Sequence, residues 1–307
     1  MKTAKGANKM YSILNGECSA VLSTMDENSM HACITDPPYG MGMDVWDHSV
    51  PTVDIWKEVY RVLKPGAFCL SFCSPELYHR MAVAVEDAGF LIKDQIMWMT
   101  TTKMPKHNRL KPAHEPIVVA QKPLDGTIKG NHEKWGCGMI DTDNTRIPWD
   151  KKPPTGWVKG GAKRRVFGGI NNKACDIVNR EEYWVDPSTN ERIIHETENA
   201  NPSGRYPSNI IGEVQSAHQK YFYAPRATRK EKGDYNNHPT VKPVSLMSYL
   251  VRIYAPESST VIDPFCGSGT TGVACIREER DFVGIDMTEE YVEIANKRCK
   301  EANKTTI

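Results

Sequence analysis

The sequence predicts an α/β fold, and three observations carry that prediction. Short apolar, partly β-branched runs at Met30–Thr35, Ala67–Cys73 and Thr260–Asp263 read as buried strands. Segments with apolar residues at helical spacing alternate with them, the pattern of a mostly parallel sheet covered by helices. Two of the strands run straight into special turns, Asp36-Pro37-Pro38-Tyr39 and Pro264-Phe265-Cys266-Gly267-Ser268-Gly269. Open α/β sheets place their ligands at such carboxyl ends.

In chain order, Tyr11–Leu14 reads as a short strand, followed by a turn at Asn15-Gly16 and a short helix from Glu17 to Ser23. The core strand then leads into Asp36, where two prolines end it and stiffen the loop, each fixing φ and lacking an N–H. Gly40–His48 is glycine-rich, carries Trp46 and Asp47, and reads as a mobile flap. A helix over Val53–Leu63 is stopped by Lys64-Pro65-Gly66. After the strand Ala67–Cys73, Leu77, Met81, Ala84 and Ala88 fall at helical spacing, with Gly89 ending that helix. Phe90–Met99 and Pro116–Gln121 read as further strands. Regular patterning returns after Phe222. Asn237-His238-Pro239-Thr240-Val241-Lys242-Pro243 forms a stiff turn, and a helix runs through Leu246, Leu250 and Ile253. Beyond the strand Thr260–Asp263, a helix begins near Thr270 and Phe282–Asp286 is a strand. The last helix, Glu289–Asn303, puts Val292, Ala295 and Cys299 on one face.

With 307 residues the chain is long enough for two domains, or for one domain with a large insertion. Its nine cysteines include no C-x-x-C pair and several lie in apolar runs, which reads as buried thiols in a reducing cytosol and argues against zinc. The first ten residues carry no apolar leader, and no apolar run approaches a membrane span, so the expectation is a soluble, cytoplasmic protein.

The net charge of +1 conceals an asymmetry. Thr101–Cys175 holds 15 Lys and Arg against 6 Asp and Glu, with frequent glycine, asparagine, tryptophan and proline and weak periodicity. Residues 123–222 therefore read as an insertion between two regular segments, 1–122 and 223–307. Its densest basic run, Lys159–Arg165, would serve equally as a solvated face, but within a neutral protein a basic, aromatic-interleaved block points to nucleic acid. Lys163, Arg164 and Arg165 are the candidate phosphate contacts. Asn171, Asn172 and Gln215, and equally Arg164 and Arg165, are suited to reading base edges, while Trp135, Trp149 and Trp157 read as local core.

The two turns carry the chemistry. Asp36-Pro37-Pro38-Tyr39 offers one acid, free carbonyls and one aromatic face, which suits a flat, amine-bearing ring; alone, the same turn would serve as a plain loop. In the second turn Gly267, Gly269 and Gly272 satisfy G-x-G-x-x-G. A dinucleotide site is disfavoured because only one strand follows, and a P-loop because no lysine follows the last glycine. Asp286, ending the next strand, is placed to accept hydrogen bonds from a ribose diol. A nucleoside ligand without a pyrophosphate fits these parts.

D-P-P-Y, a basic insertion, N-H-P-T-V-K-P and D-P-F-C-G-S-G-T-T, in that order, resemble an amino-group DNA methyltransferase of the β class. The likeness covers 11–122 and 222–300 and extends to Trp46-Asp47, Arg61–Gly66, His114-Glu115-Pro116, Tyr291, Ala295 and Arg298. One departure is Gly16-Glu17, where the family usually carries Gly-Asp. The resemblance implies a Rossmann-like S-adenosylmethionine-dependent fold with a mostly parallel, seven-stranded-type sheet. The substrate half precedes the cofactor half, and the insertion is the target-recognition region. It implies Asp36, Pro37, Pro38 and Tyr39 as catalytic residues. Asp36, Thr240, Lys242, Asp263, Phe265, Gly267, Ser268, Gly269, Thr270 and Asp286 would hold S-adenosylmethionine. Double-stranded DNA is the implied partner, with a homodimer and a cognate restriction enzyme as further candidates and no metal required.

The chemistry agrees with those roles. An exocyclic base amine is a poor nucleophile because its lone pair is delocalised into the ring. An ionised aspartate, of ordinary pKa about 3.9, and the Pro37 carbonyl would each accept one N–H, favouring a pyramidal nitrogen, while Tyr39 stacks on the base. The leading reading is adenine-N6 methylation of DNA with base flipping, ahead of cytosine-N4 methylation. An RNA or release-factor methyltransferase would carry Asn first and the motifs in reverse order, and a non-catalytic DNA-binding protein would not need both sites intact.

Overall fold

The computed structural model describes residues 10–42, 47–100, 112–147, 184–185, 192–193, 206–212, 227–232 and 234–305. The chain divides into two compact units, Met1–Thr145 with Pro207–Ile307, and Arg146–Tyr206. Trp46, Trp149, Trp157, Lys163, Arg164, Arg165, Asn171, Asn172 and Gln215 lie outside the described residues.

The larger unit is built on one sheet. Its strands are β1 (Tyr11–Asn15), β2 (Met30–Thr35), β3 (Leu63–Phe72), β4 (Leu91–Met99), β5 (His114–Gln121), β8 (Ile210–Gly212), β9 (Thr260–Asp263) and β10 (Asp281–Asp286). They lie in the order β1-β10-β9-β2-β3-β5-β4-β8. Every pairing is parallel except those of β5, which runs antiparallel to both β3 and β4. The smaller unit contains an antiparallel pair, β6 (Trp184–Val185) and β7 (Arg192–Ile193).

Helices cover both faces because the chain winds outward in two directions from the sheet centre. From β2 it passes through α2 (Val53–Val62) to β3; from β9 it passes through α7 (Thr270–Arg277) to β10 on the other side. Strand alternation divides the core accordingly. Ala32, Ile34, Phe68, Leu70 and Phe72 pack with α6 (Val244–Tyr254), α7 and α8 (Glu289–Thr305). Cys33, Cys69 and Cys73 pack with α1 (Cys18–Ser23), α2 and α3 (Tyr78–Asp87). A single-turn helix, α5 (Arg229–Lys232), precedes α6, and its Glu231 accepts from the Val244 N–H at 2.5 Å. Trp56 on α2 is fully buried, as is Leu246 on α6; each such side chain contributes about 1.5–3 kcal/mol of transfer free energy. The eight described cysteines are all buried and free. Among the described residues, no helix is long and apolar enough to cross a membrane.

Two local features differ from the sequence reading. The chain leaves α2 at Val62 and is extended at once, so Lys64-Pro65-Gly66 is a bulge within β3 rather than a separate stop. Pro65 disfavours helix at Lys64, and Gly66 takes φ +79°, where an added Cβ would clash with the Asn131 amide nitrogen. That asparagine lies on α4 (Ile128–Trp135), a helix the weak periodicity did not reveal. Thr127 caps its start by accepting from Gly130 N–H at 3.1 Å, and Gly136 ends it in a left-handed conformation. The buried Asn131 amide donates to the carbonyls of Pro65 and Cys137, tying α4 to β3. Trp135 donates to Asp125 at 3.0 Å. The sheet has eight strands because the three-residue β8 pairs beside β4.

Two predictions concern the turn after β9. Gly269 caps α7 at φ +78°, and a Cβ there would stand 2.8 Å from the Ala295 Cβ on α8. Gly269→Ala combines left-handed strain with a clash and should lose about 2 kcal/mol or more in urea denaturation. Asp263 is 2 % exposed and accepts from Thr271 Oγ1 at 2.6 Å and Phe265 N–H at 3.1 Å. Burial outweighs those bonds and pushes its carboxyl up to about 6. A raised carboxyl favours the fold at low pH and loses that contribution as pH rises through the folded value. The unfolding free energy of the wild type minus that of Asp263→Asn should therefore fall by roughly 2 kcal/mol from pH 4 to pH 7; an invariant difference would contradict the shift.

Candidate active site

Both special turns open into one cavity of about 560 Å³ at the carboxyl edge of the parallel strands. The pairing of β2 with β9, Cys33 opposite Ile262, places Asp36 and Gly267 at neighbouring strand ends, as the sequence reading required. This is the point where the chain's winding reverses, the usual ligand position in an open α/β sheet. Asp36, Pro37, Pro38, Tyr39, Thr240, Lys242, Asp263, Phe265, Gly267, Ser268, Thr270 and Asp286 all line it.

The first turn is held from beyond itself. Asp47, only 2 % exposed, accepts N–H bonds from Tyr39 at 2.7 Å, Gly40 at 2.6 Å and Met41 at 3.1 Å. Asp47 therefore clamps the backbone at the end of the turn, while residues 43–46 of the expected flap lie outside the described residues. Charge-assisted bonds of this kind contribute about 1.5–3 kcal/mol each.

Asp36 is the centre of a charge cluster. One carboxylate oxygen accepts from the Tyr39 hydroxyl and the other from Lys242 Nζ at 2.5 Å. The same ammonium lies 3.5 Å from Glu115 Oε2 and 3.3 Å from the Tyr39 hydroxyl, over the ring of Phe72. Burial alone would lower the Lys242 pKa, but the charges of Asp36 and Glu115 outweigh it and hold it above its usual value. Burial, with Asp36 and Glu115 beside it, pushes the Tyr39 phenol well up.

The second turn is shaped around a missing Cβ. Gly267 adopts φ +50°, and a Cβ there would sit 2.8 Å from His238 Nε2. Its N–H donates to Asp286 Oδ2 at 2.8 Å, and Thr288 N–H donates to Oδ1 at 2.9 Å. Burial raises the Asp286 pKa despite these bonds. His238 stacks edge-on against Tyr291 at 4.5 Å and accepts from Thr240 N–H at 3.3 Å through Nδ1, leaving Nε2 to carry the proton of the neutral ring. Burial lowers its pKa, opposed by Asp36 and Asp286.

Several nominated residues have other duties. Gly269 faces Ala295 and serves the approach of α7 to α8. Buried Arg298 donates to the Ser268 carbonyl and hydroxyl and to Thr270 Oγ1, so these side chains brace the turn against α8. Glu17 caps α1, accepting from Ala20 N–H at 2.9 Å and Ser19 Oγ at 2.5 Å, and also lines the cavity. Glu115, His238 and Tyr291 line it too, though the sequence reading assigned them no role. Each belongs to a quoted motif; their side-chain placement depended on contacts remote in sequence.

A family model described as DNA methylase (N6_N4_Mtase) matches residues 30–297, a span containing both turns. The chain is 25% identical over 287 residues to the type II methyltransferase M.HpaI of Haemophilus parainfluenzae, covering 90% of this chain and 70% of that protein. It is 25% identical over 330 aligned positions to the type II methyltransferase M.HindIII of Haemophilus influenzae, covering 93% and 94%. Among solved structures, PvuII DNA methyltransferase (cytosine-N4-specific) superposes with a TM-score of 0.57 at 15% identity, over 97% of this chain and 93% of that one. A putative DNA modification methylase from Thermus thermophilus, complexed with S-adenosyl-L-methionine, gives 0.52 at 17% identity, over 96% and 94%. These likenesses identify the fold as the α/β, Rossmann-like methyltransferase fold. With its family match spanning both motif-bearing turns, the chain belongs to the amino-group (N6/N4) DNA methylase family.

Proposed function

We propose that this protein transfers a methyl group from S-adenosylmethionine to adenine N6 at a defined site in double-stranded DNA, acting on a nucleotide swung out of the duplex. The observation that carries this reading is the single cavity shared by the Asp36 turn and the Gly267–Asp286 cradle.

The cradle suits the cofactor by shape and by donor set. The cavity holds about 560 Å³, the missing Cβ at Gly267 leaves His238 room beside the turn, and Asp286 presents a half-buried carboxylate with acceptor capacity for a ribose hydroxyl. When bound, S-adenosylmethionine supplies an electrophilic methyl group on a sulfonium. The protein's part is positioning. Asp36 and the Pro37 carbonyl accept the two amine hydrogens, and each Asp36 oxygen retains acceptor capacity beside its bond to Tyr39 or Lys242. The tether of the Tyr39 hydroxyl to Asp36 orients its ring, on which the base stacks. Holding the nucleophile in line supplies much of the rate. Extrusion of the base costs a few kcal/mol, offset by phosphate contacts from the basic insertion, including Lys163, Arg164 and Arg165.

Adenine is preferred over cytosine because the turn begins with aspartate, where cytosine-N4 enzymes of the resembling family more often carry serine. A purine also offers Tyr39 the larger stacking face. Methylated DNA digested to nucleosides and separated by mass should contain N6-methyladenine; N4-methylcytosine as sole product would overturn the substrate assignment.

Two substitutions divide the roles. Asp36→Ala should abolish transfer while S-adenosylmethionine still binds. Asp286→Ala should weaken cofactor affinity by about 10- to 150-fold, the loss of one charge-assisted hydrogen bond. Isothermal titration of both variants checks this, and equal loss of cofactor binding would contradict it.

A further inference from the structure

Lys242 brings a positive charge to within 2.5 Å of the carboxylate proposed to accept the amine hydrogen. Taken alone, that contact opposes the reaction. The amine nitrogen gains positive charge as its lone pair becomes the new N–C bond, and an adjacent ammonium neutralises the acceptor that should stabilise it. The cation is no surface accident. The side chains of Lys242, Asp36 and Glu115 are only 10%, 20% and 13% exposed, and the ammonium is enclosed by the rings of Phe72 at 5.0 Å and Tyr39 at 5.6 Å.

Glu115 changes the balance. It enters from β5, the antiparallel strand, whose amino end therefore reaches the same edge of the sheet as the carboxyl ends of β2 and β3. Its place is fixed by pairing opposite Trp98 and by the bond from Cys73 N–H to the Pro116 carbonyl at 3.0 Å. With both carboxylates ionised, Lys242 charged and Tyr39 neutral, the cluster carries one net negative charge. Without Glu115 it would carry none.

We infer that Glu115 is a positioning residue for methyl transfer, offsetting the Lys242 charge and drawing the ammonium partly aside so that Asp36 stays an effective anionic acceptor. The inference rests on the proposed role of Asp36. Lys242 orients the carboxylate, and Glu115 keeps that orienting contact from silencing it. The three residues come from β5, the turn after β2 and the turn before α6, and act as one unit.

The isosteric Glu115→Gln keeps the shape and removes the charge. At saturating S-adenosylmethionine, its single-turnover transfer to unmethylated genomic DNA should slow on the order of 10- to 100-fold, while cofactor affinity by titration stays within about twofold of wild type. The charge-balanced Glu115→Gln/Lys242→Met variant, which restores one net negative charge, should be faster than Glu115→Gln alone. A purely structural role for Glu115 would make the second substitution slow the enzyme further. An active wild type with an unaffected Glu115→Gln, or a double variant no faster than Glu115→Gln, overturns this inference alone. A wild type that transfers no methyl group overturns the functional reading and this inference together.

Discussion

The parallel pairing of β2 with β9 is the constraint on which the rest of the site depends. These strands lie more than two hundred residues apart in the chain, yet Ala32 stands opposite Val261 and Cys33 opposite Ile262. One register step would exchange the faces of every β2 side chain, sending Ile34 away from α6 and Cys33 away from α2. It would also displace Asp36 from the Gly267 turn. The buried, alternating side chains that define the core thus define the distance between the two chemical groups.

Around that pairing the protein gathers charges that would be costly to bury singly. Each has been given partners. Asp47 takes the N–H groups of Tyr39, Gly40 and Met41, Asp286 takes those of Gly267 and Thr288, and Asp263 takes a hydroxyl and an N–H. Arg298 holds the glycine-rich turn through three acceptors. These bonds tie the backbone of both turns to buried side chains, the positioning that a reaction driven by alignment requires.

The Asp36–Lys242–Glu115 cluster departs from that pattern, because its charges meet one another instead of backbone dipoles. The Asp47 clamp, by contrast, is committed to backbone N–H groups of the fold.

The strands, most helices and both turns were legible in the sequence because each is local: β-branched runs, helical spacing, proline stops and glycine turns act over a few residues. Thr260–Asp263 and the helix start at Thr270 are examples. The candidate site was legible to the same depth, through Asp36, Gly267 and Asp286. Helix α4 was not, since its signal is one capping threonine and a buried asparagine whose partners, Pro65 and Cys137, lie outside the helix. Nor was the duty of Gly269, which depends on Ala295 of α8. What the sequence by itself determined is the alphabet of the site: one acid on a proline-stiffened turn, a glycine cradle and a second acid. Only the tertiary structure decided that Lys242 sits between Asp36 and Glu115 and that His238 fills the space beside Gly267. Those contacts join residues from separate strands and turns, and their distances are set by sheet order and register, which local pattern does not encode.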